Sequence, residues 1–244
     1  MNEYQSAPWQ ARQQLLIGEE ACEKLAGASV MVIGLGGVGG AVVEGLCRAG
    51  VGRLILADHD TVDLTNLNRQ LLATLDTVGL PKTEAAAMRV RQINPACEVR
   101  LLPMFYGADT AEAFFAEKPD YVVDCIDTVT AKLHLAEQCR DRGIPLLICL
   151  GTGNRLDPSA FRIGDIAETA TSGGGDGLAR VMRRELKKRG IYKAKVLYST
   201  EAASKAVIPD SETGRYAPGS IAFCPPAAGF LLASRVVRDI IGRP

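Results

Sequence analysis

SVMVIGLGGVGGAVVEGLCRA, residues 29–49, decides the fold. Its first five residues form a short apolar run without the alternation of a half-buried strand, the pattern of a strand covered on both faces. Gly34, Gly36, Gly37 and Gly39 follow at once, and 38–49 has the period of a helix. Strand, glycine turn and helix in that order bring backbone N–H groups and a helix N-terminus to one point. Phosphate oxygens can approach closely there, because glycine carries no side chain. A glycine turn that serves packing alone is spelled the same way. What separates the two is an acidic residue at the end of the next strand. RLILA at 53–57 is that strand, and Asp58 stops it.

The alternation continues outward. Helices are expected at 82–93, stopped before Pro95, and at 129–142, with further strands at 98–102, 121–126 and 145–150. Strands spaced by helices of this length argue for right-handed βαβ units. The expected class is α/β, a Rossmann-like and largely parallel sheet with helices on both faces. The pattern degrades after about residue 151. There, 169–177 is a loop by composition, 178–190 a basic helix, 195–200 and 206–208 short antiparallel strands, and 227–241 a closing apolar helix. No internal repeat is present. The expectation is one domain over 1–244, with a nucleotide-binding core over 1–150 and an irregular portion over 151–244.

Composition narrows the class. Of 244 residues 47% are hydrophobic and 23% charged, which suits a folded globular chain and excludes a disordered one. Lys and Arg together number 28, as do Asp and Glu, so a surface that is basic all over is excluded while a local basic patch is not. No apolar run approaches the roughly 18 residues of a membrane span. The opening MNEYQSAPWQARQQ lacks the apolar centre of a signal peptide. A cytoplasmic protein with no membrane contact is expected. The seven cysteines are odd in number and include no C-x-x-C pair, so neither a disulfide framework nor a paired-cysteine zinc site is expected.

The kind of nucleotide is a separate question. A hydride-transfer enzyme needs a proton-handling side chain near the cofactor, and His59 and His134 are the only histidines. The segment after Asp58 offers instead Asp60, Asn66, Asn68, Arg69 and Gln70, and Lys82 opens the following helix. Cations and amides in that number suit a triphosphate better than a dinucleotide. Asp127, with Thr128 beside it, follows the fourth strand at the carboxyl edge of the sheet, where a carboxylate next to a triphosphate is a natural Mg²⁺ ligand. Singly each of these is an ordinary surface residue; together they favour ATP.

Several stretches also resemble a known family: Arg12 ahead of LLIG, GLGGVGG at 34–40, ADHDTVDLTNLNRQ at 57–70, VGLPKTEAAAMRVRQINP at 78–95 and VVDCIDTVTAK at 122–132. They are similar to the ubiquitin-activating-enzyme-like adenylating family, the group of the ThiF, MoeB and HesA proteins. The resemblance implies a homodimer that binds Mg-ATP and adenylates a carboxylate. It puts Gly37, Asp58, Asn66, Asn68, Arg69, Lys82 and Asp127 at nucleotide positions. Arg12 matches an arginine that reaches the phosphates, in several members from the neighbouring subunit. Arg12, Arg69 and Lys82 are thereby expected to stabilise charge on the phosphates, and Mg²⁺ at Asp127 to do the same for the departing pyrophosphate.

The two C-x-x-C zinc pairs of ThiF and MoeB are missing here. GTGNRLDPSAFRIGDIAET at 151–169, the basic helix, and VLYSTEAA at 196–203 resemble another branch, one that acts on tRNA. That resemblance runs over nearly the whole chain. It implies ATP-dependent ring closure of the threonylcarbamoyl carboxylate on the modified adenosine next to the anticodon, with 151–244 facing substrate and forming the dimer. The alternatives are activation of the C-terminal carboxylate of a ubiquitin-like or sulfur-carrier protein, and a non-catalytic nucleotide sensor. Arg180, Arg183, Arg184, Lys187 and Lys188 form the most basic segment. Such a run is ordinarily a solvated helix face; a tRNA ligand gives it a purpose. Cys224 lies near the position of a reactive cysteine in some relatives, and its ordinary reading is a thiol at the start of a helix with no catalytic task. A monovalent cation and a sulfur-transfer partner are left open, with no residues assigned to either.

Overall fold

Apolar strands without alternation need cover on both sides, and the computed structural model, which describes residues 7–205, 207–209 and 216–243, supplies it. Two short helices, α1 (Ala11–Ile17) and α2 (Glu19–Gly27), lead into β1 (Ser29–Ile33), α3 (Gly37–Arg48) and β2 (Arg53–Ala57). Then follow α4 (Lys82–Ile93), β3 (Glu98–Leu102), α5 (Ala111–Phe115), β4 (Tyr121–Asp124), α6 (Val129–Arg142) and β5 (Leu146–Cys149). The remainder carries β6 (Phe161–Asp165), α7 (Gly177–Lys188), β7 (Lys195–Ser199), β8 (Val207–Pro209), β9 (Tyr216–Pro218) and α8 (Cys224–Ile240).

One seven-stranded sheet has the order β3-β2-β1-β4-β5-β7-β6. Every pairing in it is parallel except that of β6 with β7. Alternate residues of each strand serve opposite faces. Val30 and Val32 join a core beneath α2, α3, α4 and α8, while Met31 and Ile33 join one beneath α5 and α6. A third cluster lies between β5, β7, α6 and α7. Burial on both faces is why the strands read as continuous apolar runs. The chain turns outward from β1 on both sides, to β2 and to β4, so the carboxyl ends of β1 and β4 flank the switch point where α/β sheets bind ligands.

Helices α3 and α8 cross at very short range. A Cβ on Gly229 would stand 2.3 Å from the Val38 carbonyl oxygen, and one on Gly45 would stand 2.6 Å from the Ala233 Cβ. Small residues on both helices therefore set the depth of this crossing.

The irregular portion departs from expectation in several places. The expected antiparallel strand at 195–200 is β7, which is parallel to β5 and antiparallel only to β6, a strand missing from the sequence reading. Phe161–Asp165 alternates too weakly to signal a strand from its letters. The expected strand at 206–208 falls partly outside the described residues; β8 pairs antiparallel with β9. The expected loop at 169–177 opens with the end of a 3-10 turn, Ile166–Ala170, and closes with the first residue of α7. The closing helix begins at Cys224, three residues before the expected 227, because Pro225 and Pro226 occupy its first turn, where a missing N–H costs nothing. The fourth strand ends at Asp124, so Asp127 lies in the turn beyond it. No helix among the described residues is long and apolar enough to cross a membrane.

Candidate nucleotide site

The turn after β1 is built by exclusion. Gly34 has φ +89°, and a Cβ there would meet the Cys125 carbonyl oxygen at 2.5 Å. A Cβ on Gly39 would fall 1.7 Å from the Gly34 carbonyl oxygen, so α3 can begin this close to β1 only without a side chain. Gly36 faces open space, with its nearest neighbour, Gln70 Nε2, 3.9 Å from a Cβ placed there. Phosphate can therefore reach the amides of this turn.

The segment after β2 is a braced loop. Asp58 Oδ2 accepts the Leu35 N–H at 2.6 Å, and its Oδ1 accepts the Asp60 N–H at 2.9 Å. Asp63 caps a 3-10 turn, Leu64–Asn66, and the Oδ1 of the buried Asn66 accepts the Asp63 N–H in return. The Lys82 N–H donates to the Asp60 carbonyl at 2.9 Å, which brings the first residue of α4 back beneath the loop. Lys82 Nζ then reaches Asp60 Oδ2 at 2.7 Å.

A cavity of about 540 Å³ lies at the carboxyl edge between these pieces. Of the expected nucleotide residues, Gly34, Gly36, Gly37, Asp58 and Asp60 line it from one side. Asn66, Arg69, Gln70, Lys82 and Asp127 complete its wall. Gly39 and Thr128 do not line it: Gly39 packs against Gly34, and Thr128 precedes α6 with its Oγ1 3.2 Å from Asp127 Oδ1. Asn68 turns away, its Nδ2 donating to the Ser220 carbonyl at 3.1 Å. Arg12 is exposed on α1, beside the far end of α3, where Gln13 Nε2 donates to the Ala49 carbonyl. Twelve helical residues, about 18 Å, separate that end from the glycine turn, so Arg12 does not enter this cavity within one chain.

Three polar groups at the cavity are left open. Arg69 donates to the Thr65 carbonyl and to Asn68 Oδ1, both at 2.7 Å, and has no carboxylate partner among the described residues. Gln70 is buried with its Oε1 unpartnered. Asp127 is exposed, and the Thr128 hydroxyl is its one hydrogen-bond partner among the described residues. Asp58, His59 and Asp60 also bring one ligand-type atom each within 4.8 Å of one another. Asp58 and Asp60 are already engaged, so Asp127 is the freer carboxylate for a divalent cation beside phosphates.

Sequence reasoning missed the rest of the wall. Met104, Phe105 and Tyr106, after β3, line it together with His59, whose ring stands edge-on to Phe105 at 5.2 Å. Tyr106 also meets His134 Nδ1 at 3.2 Å. Beneath the floor, Lys132 Nζ pairs with Asp124 Oδ1 at 3.0 Å and donates to the Cys149 carbonyl at 2.7 Å, both side chains being fully buried. Burial pushes the Asp124 carboxyl up, against the pull of the Lys132 ammonium. An aspartate closing the apolar run YVVD was the available signal.

The basic helix is less open than its letters suggest. Arg184, Lys188 and Arg189 converge on Glu185 at 2.9, 2.9 and 3.2 Å, and their hydrogen bonds draw its carboxyl down to about 2. Arg183 donates to the Thr169 hydroxyl at 2.7 Å. Arg180 and Lys187 remain exposed. Cys224 is the first residue of α8 and fully buried, and burial pushes its thiol up, which opposes a thiolate.

Comparison with known proteins places this geometry. The ThiF family model matches residues 10–242. A tRNA threonylcarbamoyladenosine dehydratase of Bacillus subtilis is 43% identical over 242 residues, spanning 95% of this chain and 94% of its own length. The enzyme of the same name from Escherichia coli is 38% identical over 195 residues, 77% and 71% of the two chains. The solved structure of E. coli tRNA N6-threonylcarbamoyladenosine dehydratase, TcdA, in complex with ATP superposes with a TM-score of 0.85 at 33% identity, over 98% of this chain and 97% of that one.

Proposed function

The chain belongs to the ThiF family, and from that premise we propose that it is an ATP-dependent tRNA threonylcarbamoyladenosine dehydratase. It closes the threonylcarbamoyl side chain of a modified tRNA adenosine into its cyclic form.

A carboxylate is a poor electrophile because its leaving group would be oxide. In this reaction a carboxylate oxygen of the substrate attacks the α-phosphorus of ATP, and pyrophosphate leaves. The acyl-adenylate then has AMP as a leaving group, and the substrate's own carbamoyl group closes the ring. No enzyme nucleophile is needed, which agrees with the buried state of Cys224. The work left to the protein is to bind, orient and neutralise charge. The Gly34–Gly37 amides hold phosphate oxygens at the N-terminus of α3. Arg69 supplies a cation free of carboxylate, and Lys82 exchanges Asp60 for phosphate. Asp58 is fixed by the Leu35 N–H in position to receive ribose hydroxyls. The exposed carboxylate of Asp127 fits a Mg²⁺ ion, which when bound neutralises charge on the departing pyrophosphate.

The observation that carries this reading is that Arg69, a cation with no carboxylate partner among the described residues, lines the same switch-point cavity as the lightly engaged carboxylate Asp127. Its test is pyrophosphate release. Purified protein with ATP and tRNA bearing threonylcarbamoyladenosine should release pyrophosphate and yield the cyclic nucleoside by mass spectrometry. Release only with a carrier protein ending in Gly-Gly would instead support the adenylyltransferase reading. That reading has its own relative, a molybdopterin-synthase adenylyltransferase of Haemophilus influenzae, 38% identical over 51% of this chain.

The working unit we propose is a homodimer in the cytoplasm. Leu15 and Leu16 on α1 are 89% and 78% exposed, and Leu16 borders an apolar groove of about 490 Å³ with Phe230, Ala233 and Val237 of α8. A second copy covering this face would carry its own Arg12 toward the site that Arg12 cannot reach within one chain. Residues 151–244 then supply both the dimer face, through α8, and the substrate side, through α7, with Arg180 and Lys187 as the tRNA-facing cations and Arg183, Arg184 and Lys188 behind them.

A further inference from the structure

A buried guanidinium is costly without an anion. Arg155 is 3% exposed, has no carboxylate within ion-pair distance among the described residues, and leaves its Nε without a partner. Its one side-chain hydrogen bond among the described residues runs from Nη1 to the Gly174 carbonyl, at a long 3.3 Å. The chain is forced to aim it inward. Asn154 sits at φ +58° and is pinned by three bonds: its N–H to the Gly219 carbonyl, its carbonyl to the Ser204 N–H, and its Oδ1 to the Gly219 N–H. Asparagine is among the few non-glycine residues that adopt this left-handed region readily, so the turn suits its residue and its bonds hold it there.

Gly174 belongs to the loop that ends at Asp176, the N-cap of α7. Asp176 Oδ1 accepts the Leu178 N–H at 2.8 Å, and its Oδ2 is buried without a partner. Both oxygens lie 3.4–3.5 Å from where a Cβ on Gly151 would stand. The β4–β5 ladder ends with Asp124 opposite Ile148, so the segments 125–127 and 149–151 leave neighbouring strands at the same carboxyl edge of the sheet. An unpaired buried cation, an unpaired buried acceptor and a helix N-terminus thus lie beyond β5, on the strand next to the one whose following segment carries Asp127 into the nucleotide cavity.

We propose that Arg155 and Asp176 form the subsite for the reacting end of the substrate, Arg155 taking its carboxylate and Asp176 accepting its ureido N–H. This rests on the dehydratase reading above. It gives that reading a way to recognise the modification itself, which phosphate contacts cannot do. The carboxylate enters beneath the 171–176 loop, whose Gly173 and Gly175 sit at φ +81° and +57° and allow it to lift. It satisfies Arg155 and lies next to the ATP α-phosphate. Asp176 orients the ureido group for the closure that follows.

The test uses the full-length protein and two anticodon stem-loop RNAs, one carrying threonylcarbamoyladenosine and one carrying adenosine in its place. Affinity for each is measured, with ATP affinity and Tm as controls. Wild type should prefer the modified RNA. Arg155→Gln should lose that preference by on the order of 10–100-fold, the scale of one charge-assisted bond. Its binding of the unmodified RNA and of ATP should hold, and its Tm should stay level or rise, because an unpaired buried charge has been removed. Asp176→Asn, which can still cap α7, should lose part of the preference. Arg155→Gln retaining the wild-type preference overturns the inference and leaves the dehydratase reading standing. So does a fall in Tm with equal loss on both RNAs, which makes Arg155 structural. A wild type blind to the modification overturns the dehydratase reading, and this inference with it.

Discussion

The two edges of the sheet carry cavities of opposite character. The larger, about 730 Å³, is at the amino edge and is bordered by Asp120, Tyr121, Lys195 and Asp239. Its charges are spoken for. Asp239 receives Lys195 at 2.6 Å, the Tyr121 hydroxyl at 2.7 Å and Arg235 at 2.8 Å, while Asp120 accepts the Ser29 N–H at 2.8 Å. The smaller, about 540 Å³, is at the carboxyl edge and leaves Arg69 without a carboxylate, Gln70 Oε1 orphaned and Asp127 open to solvent. Volume alone would choose the wrong edge. Polar groups whose partners are missing mark where a ligand completes the structure.

The contrast is broken most directly by emptying each edge of one charge. Asp127→Ala should cut pyrophosphate release by on the order of 10²–10³-fold with Tm nearly unchanged. Lys195→Ala should do the reverse, lowering Tm while release stays within about twofold. Equal losses from the two edges would show that the distinction drawn here is false.

A second variant asks how far the open character extends below the carboxyl edge. Lys132→Ala strands Asp124 as an uncompensated buried carboxylate, and should cost about 3–5 kcal/mol of stability. In thermal unfolding that is a fall in Tm of roughly 10 °C. A normal Tm with lost activity would make Lys132 part of the site rather than its foundation. A third concerns the flank of that edge. Arg180→Glu with Lys187→Glu should weaken tRNA binding roughly tenfold and reduce its salt slope by about 2, because these cations are not tied to Glu185. The same changes at Arg184 and Lys188 should do less.

The smallest effect belongs to the closed edge and appears with pH. Burial alone would raise the Asp239 carboxyl, but Lys195, Tyr121 and Arg235 hold it below the ordinary range. A group whose pKa is depressed on folding contributes stability above its unfolded value of about 4 and loses it as pH falls through the folded one. Tm of the wild type should therefore hold down to about pH 5 and then drop a few degrees more than that of Asp239→Asn. Parallel curves would show that the network contributes nothing.

Legibility in the sequence followed the physics of each part. β1, β2, α4 and α6 were readable to the residue because strands buried on both faces are uniformly apolar, and because glycines, prolines and Asp58 punctuate them; β3, an edge strand with Glu98 and Arg100 exposed, was readable from its alternation. The loop carrying Asn66, Arg69 and Lys82 was readable because its chemistry sits in consecutive letters. β6 and the direction of β7 were not, since pairing partners that arrive from distant segments leave no local trace. Arg155 and Asp176 were invisible as a pair for the same reason. Each looks like a loop residue until the fold buries the Arg155 side chain and the Asp176 Oδ2. Asn68 shows what consecutive letters leave out: its place in the loop suggests a ligand, while its side chain also reaches the distant Ser220 carbonyl.

The helix Cys224–Ile240 presses Pro225 to 2.8 Å from a Cβ placed on Gly37 and sets Gly229 against α3, so the last long element of the chain braces the first glycine turn. During synthesis, that turn stays unsupported until residues 224–229 have left the ribosome. A nascent chain therefore cannot retain nucleotide early, and a message truncated before codon 224 yields a product that quality control should recognise as unfinished rather than a smaller working enzyme.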